Sequence, residues 1–132
     1  MDVEVDQHGR EIVAKGPKYV IVCAKRRSGR SPAADFLTEC ATKWPNEADK
    51  FEARFRRLAM HGQIADYHTY HKLDSDIWQI RSGSLRILHY IEGNTLVLTH
   101  GFKKQSQKTP RGEIDRAVRI REEDRSRIGS DS

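Results

Sequence analysis

The segment HGFKKQSQKTP, residues 100–110, carries Lys103, Lys104 and Lys108 with no acid among them. Elsewhere the chain mixes signs freely, as in REEDRSR at 121–127, so solubility alone does not explain the run. Two further cations, Arg81 and Arg86, flank the linker SGS between the apolar runs IWQIR at 77–81 and LRILHYI at 85–91. SGS and the later EGN have the length and residue types of hairpin turns, so the runs at 77–81, 85–91 and 95–102 are expected to pair antiparallel. That pairing gathers Arg81, Arg86, Lys103 and Lys104 at one end of a sheet. Guanidinium forks bind phosphate oxygens in pairs, and crowded lysines act as point charges that can also move a proton. The alternative is that each cation caps a strand end in water.

The elements that must hold these groups are legible from pattern. YVIVCA at 19–24 is an apolar, β-branched run that fits a strand buried on both faces. Ser31-Pro32 opens a helix whose stripe Ala33, Phe36, Leu37, Cys40, Ala41 and Trp44 ends at Pro45. A second helix, from about Asn46, places Ala48, Phe51, Phe55, Leu58 and Ala59 on one face and closes at Gly62. After the polar connection GQIADYHTYHKLDSD come the three meander strands. Thr109-Pro110 then starts a last helix, which carries Glu113 and Asp115 in its first turn. The expected class is α+β: strand, helix, helix, three-strand antiparallel meander, helix, with helices packed on one face of a small sheet. Residues 1–17 read as an N-terminal arm or edge strand, 18–125 as the domain and 126–132 as a flexible tail.

Length and composition bound the rest. A chain of 132 residues with 36% hydrophobic and 33% charged residues supports one small core and a highly charged surface. Its formal charge of +5 favours acidic or polyanionic partners. Cys23 and Cys40 lack the density of a disulfide framework or the spacing of a zinc site, and they read as reduced core residues. No stretch resembles a signal peptide or approaches the roughly 18 apolar residues of a membrane span, so the expectation is a cytoplasmic protein without a membrane partner.

The residues IWQIRSGSLRILHYIEGNTLVLTHGFKKQSQKTPRGEIDRA closely resemble the RelE/HigB type of bacterial toxin, in its phage-derived branch. There a W-x-[IL]-R strand, an [YFL]-R-[IV]-L-[YH] strand and an H-G-F-x-K-K-x-x-K-T-P-x-x-E-I-x-x-A segment follow in this order. The likeness spans residues 19 to about 120. It implies a RelE-like fold and a type II toxin that cleaves messenger RNA, usually on the ribosome, without metal or other cofactor. It also implies a cognate antitoxin, of helix-turn-helix type with an acidic toxin-binding surface. In that chemistry a ribose 2′-OH attacks the adjacent phosphate, so the protein must position RNA, move protons and stabilise the phosphorane. By residue matching, the resemblance implies that Arg86 is the strand arginine expected to contact the scissile phosphate, Arg81 the neighbouring cation and Lys104 the cation beyond the last strand. The chain departs from the pattern at Gln79 and Gln105, and it has no tyrosine after Thr109.

Proton transfer is left to His71, Lys72, His100 or Lys104. His100 shares strand parity with Leu96, Leu98 and Phe102, and His89 with Leu85, Ile87 and Ile91, which favours a packed role for both rings. His68 and His71 have helical ligand spacing but no third ligand, so no metal is expected. Trp78 reads as core. The loop residues Lys25, Arg26, Arg27 and Arg30 form a second basic patch that either is solvated or, with Lys72, Lys103 and Lys108, tracks RNA phosphates. Two rival functions remain open: a ParE-like inhibitor of DNA gyrase, and an RNA- or ribosome-binding module without cleavage activity.

Overall fold

The computed structural model describes residues 3–106 and 108–130. Among these, six strands form one mixed sheet in the order β1 (Ile12–Lys15), β2 (Val20–Cys23), β6 (Thr95–Lys103), β5 (Leu85–Glu92), β4 (Trp78–Ser82), β3 (Tyr70–Lys72). The apolar run expected to be doubly buried becomes β2 (Val20–Cys23), which pairs parallel with β6 (Thr95–Lys103) through Val20↔Thr95 to Cys23↔Leu98. Ile21 and Cys23 enter the core on one face of the sheet, and Val22 and Ala24 enter the core on the other. β4 (Trp78–Ser82), β5 (Leu85–Glu92) and β6 make the antiparallel meander.

The α+β class and the element order are as expected, while the sheet is wider. The polar connection after the second helix contributes β3 (Tyr70–Lys72), which pairs antiparallel with β4. The segment ahead of β2 contributes the edge strand β1 (Ile12–Lys15).

Helices α1 (Pro32–Lys43) and α2 (Pro45–His61) each carry proline at the first helical position and cover one face of the sheet. Phe36, Cys40, Phe51, Phe55 and Leu58 pack there on Ile80, Ile87 and Leu98. Gly101 permits the close approach of α1: a Cβ at this position would stand 2.1 Å from the Phe36 ring. The expected placement of helices on one face holds for these two and needs correcting for α3 (Arg111–Ser130), which lies on the opposite face. Ile114, Ala117 and Ile120 meet Val22, Leu88, Tyr90 and Val97 there, the side chains that strand alternation turns away from α1 and α2.

Beyond this stripe α3 continues to Ser130. It is held by Asp124, whose fully buried carboxylate accepts hydrogen bonds from Arg10 Nη1, the Lys25 amide and the Tyr90 hydroxyl, each at 2.9 Å. No helix among the described residues is long and apolar enough to cross a membrane.

Candidate functional site

At the β3-β4-β5 end of the sheet, on the face that α3 only partly covers, lies an open cavity of about 520 Å³. Its lining includes His71, Gln79, Arg81, Arg86, Lys108 and Thr109. The strand register assembles it. His71 stands opposite Gln79, Gln79 opposite Leu88, and Arg81 opposite Arg86, so alternate residues of three strands face the same way.

Arg86 is only 4% exposed. Its Nη1 donates to the carbonyls of Gly83 and Leu85 at 2.8 and 2.9 Å, and Arg81 Nε approaches the same Gly83 carbonyl at 3.4 Å. Burial, followed by the nearby Arg81 charge, pulls the Arg86 guanidinium below its ordinary pKa. Among the described residues, no carboxylate lies within ion-pair distance of either arginine. A partly buried cation pair without an acid is costly to keep unless an anion compensates it.

The turn that carries the pair is anchored from the far side of the sheet. The Ser82 hydroxyl reaches Glu47 at 2.8 Å from Oε2 and 3.0 Å from the backbone oxygen. Gly83 sits at φ +59°, and a Cβ there would come within 2.7 Å of the Glu47 carboxylate, so any other residue would be strained in this left-handed corner and would push the carboxylate aside.

Lys104 and Lys108 complete the cationic rim. The Lys104 amide donates to Ser84 O at 2.8 Å, and its side chain shares a small cleft with Arg86, Phe102 and Lys108. Lys103 points to the other face, where its Nζ lies 5.9 Å from the Trp44 ring centroid. Thr109, expected to cap the last helix, instead donates to Gln79 Oε1 at 2.5 Å and ties the basic loop to β4. Gln79 thus serves as the loop's anchor.

His71 Nδ1 lies 3.0 Å from the Tyr67 carbonyl oxygen. A carbonyl only accepts, so Nδ1 carries a proton, and Nε2 is the nitrogen left to face the cavity chemistry. The Tyr67 ring stacks on His71 with centroids 4.4 Å apart. Lys72 lines the cavity as well, though its Nζ is paired with Asp76 at 2.9 Å.

His100 is not brought to this cavity. Thr99 is an extra residue of β6 opposite the Leu88–His89 step of β5, a bulge that shifts the register, so His89 faces Leu98 while Leu88 faces His100. The parity expected between His100 and Leu98 fails there, and His100 turns to the α3 side, with Nε2 at 3.1 Å from Glu113 Oε1. Burial outweighs the carboxylate and pulls the ring's pKa down to about 4, so at pH 7 this contact is a hydrogen bond from a neutral ring and not an ion pair. His89 keeps the expected face, stacked on Tyr70 and Trp78.

The second basic patch is largely engaged by the protein itself. Arg26 pairs with Glu123 at 2.5 Å, Arg30 reaches Asp35 at 3.3 Å, and Arg27 Nη2 donates to Ser126 at 3.1 Å. Lys25 contributes its amide to Asp124.

Three residues that line or support the cavity escaped sequence reasoning: Tyr67 on its wall, and Ser82 and Glu47 behind it. A tyrosine amid the histidines of a polar connection, in YHTYH at 67–71, was the available signal for Tyr67. Glu47 lies 35 residues from its partner in sequence, and no local pattern announces it.

A family model described as "Phage derived protein Gp49-like (DUF891)" matches residues 42–122, well over half of the chain. The matched stretch contains Arg81, Arg86, Lys104, Lys108, His71 and the Glu47 anchor. No curated protein matches the chain.

Proposed function

From the premise that the chain belongs to the phage-derived Gp49-like family, a family associated with the toxins of toxin-antitoxin pairs, we propose that it is an endoribonuclease that seats a scissile phosphate on Arg86 and Arg81. The carrying observation is the buried Arg86 guanidinium beside Arg81, with no carboxylate among the described residues to balance them. A phosphodiester supplies that negative charge, and it gains further charge density as the phosphorane forms.

In this reading the ribose 2′-oxygen attacks the adjacent phosphorus as its proton passes to His71 Nε2. The bond from phosphorus to the 5′-oxygen breaks, and that oxygen takes a proton from Lys104 or water, leaving a cyclic phosphate and a 5′-hydroxyl. The tautomer enforced by the Tyr67 carbonyl suits Nε2 to the base role. Arg86 and Arg81 hold the non-bridging oxygens, and Lys104 and Lys108 draw the strand in. The charge stabilisation comes from protein cations, so the reaction is read as independent of metal.

The substrate is taken to be messenger RNA on the ribosome, with arrest of translation as the outcome. The family also implies an antitoxin partner, and the +5 charge fits one with an acidic binding surface, here proposed as a helix-turn-helix protein. Inducing the protein in a bacterium and mapping RNA 5′ ends tests the reading. New ends within translated codons, lost with Arg86→Ala, support it. Supercoiling defects with intact messenger overturn it in favour of gyrase inhibition.

A further inference from the structure

Tyr67 is 66% exposed, an unusual position for a large aromatic ring, and it lies on the wall of the cavity that holds Arg81 and Arg86. The ring is not on a loose loop. Asp66 organises the turn: Oδ1 accepts from the His68 amide at 3.0 Å, Oδ2 from the Thr69 hydroxyl at 2.9 Å, and its carbonyl from the Thr69 and Tyr70 amides at 3.0 Å. The Tyr67 ring packs on His71 at 4.4 Å with 19° between planes, and His68 meets it edge-on at 6.2 Å. Held in this way, an exposed ring has lost little further entropy by the time a planar partner arrives.

We infer that Tyr67 is the stacking platform for one unpaired nucleobase next to the phosphate seated on Arg81 and Arg86; the inference rests on the RNA reading of this cavity. Single-stranded nucleic acid is held by a cationic track with aromatic rings beside it, and both parts occur here within one cavity. The base must be unpaired, because in a duplex both of its faces are covered by neighbours. Recognition is through a π-face, so the subsite selects single-strandedness more than base identity. The phenol hydroxyl has no necessary part, and the Tyr67 carbonyl continues to hold His71 when the side chain is changed.

The test uses short single-stranded 2′-O-methyl RNA, which lacks the attacking hydroxyl, and the same oligomers with one abasic site moved along the strand. Tyr67→Ala is expected to weaken binding of the intact oligomer about tenfold or more and to leave the salt dependence unchanged, since no phosphate contact is lost. Tyr67→Phe binds as the wild type does. At one position the abasic substitution weakens wild type by a similar factor and costs Tyr67→Ala nothing further. If Tyr67→Ala binds like wild type while Arg86→Ala binds weakly with a flatter salt slope, the subsite is overturned and the phosphate site stands. If Arg86→Ala leaves both affinity and slope intact, or the wild type binds the oligomer neither free nor seated on the ribosome, the RNA reading falls and the subsite falls with it.

Discussion

Ser82 and Glu47 meet across the sheet, hydroxyl to carboxylate at 2.8 Å, and the turn they pin supplies the Gly83 carbonyl that both Arg81 and Arg86 contact. The first turn of α2 therefore sets the position of the guanidinium pair from the face opposite the cavity. Removing the hydroxyl leaves a partly buried carboxylate short of a donor.

Ser82→Ala should cost about 1 kcal/mol of stability in urea unfolding, the usual worth of such a bond. It should also lower the single-turnover cleavage rate while the salt slope of RNA binding stays at the wild-type value, because every phosphate-binding cation is still present. A wild-type rate in the folded variant would separate this anchor from the chemistry.

Arg86→Ala and Lys104→Ala should each reduce cleavage by about 10²-fold or more, with smaller effects on binding, because their interactions strengthen as charge builds on phosphorus. Lys103→Ala should do far less, since its ammonium stands over Trp44 on the other face. Single-turnover assays on ribosome-bound messenger distinguish the three, and equal losses at 103 and 104 would contradict the assignment.

Acid should destabilise the fold through two histidines. Burial draws His89 down to about 3 and His100 to about 4, so both rings are neutral in the folded protein while the unfolded chain takes up protons near 6.5. Their stabilising contribution is complete above about pH 6.5. It falls by roughly 1.4 kcal/mol per pH unit per ring as pH drops towards the two folded values. Urea midpoints measured between pH 7 and 5 should show this slope, and His89→Phe, which keeps the stack with Tyr70 and Trp78, should remove about half of it.

Salt dependence should separate the two basic regions. Neutralising Arg81 or Lys108 should lower the slope of log affinity against log salt by roughly one unit each. Arg26→Ala and Arg30→Ala should change it little, because those guanidinium groups are already engaged by Glu123 and Asp35. Equal reductions in both regions would return the loop to the RNA track.

Much of this arrangement was legible in the order of residues. The SGS and EGN turns set the antiparallel pairings, and these bring Arg81, Arg86 and Lys104 to one sheet end, with Lys103 on the other face. What escaped has physical causes. The position of His100 depends on a bulge, and a single extra residue reverses every parity beyond it. β3 has three residues, polar apart from Tyr70, and takes its strand conformation from its neighbour β4, so no periodicity betrays it. The carboxylates that engage Arg26 and Arg30 come from α3 and α1, and charge counting along the chain treats those arginines as free. Thr109 has the residue type of a cap, yet its hydroxyl finds Gln79, a partner that only the folded sheet puts within reach.

The hold on Asp124 has a consequence for the order in which the molecule comes into being. Arg10 finds its buried counter-charge 114 residues further along, and β2 finds its parallel neighbour only when residues 95–98 have been made. Synthesis proceeds from the N-terminus, so every residue of the cationic cavity, from Tyr67 to Ile114, exists before the clasp that closes the fold. Contacts of such long reach form slowly compared with hairpins and helix turns. The meander can therefore fold early as a hairpin pair while Arg10 and Asp124 are still apart, and the clasp closes only once α3 has emerged.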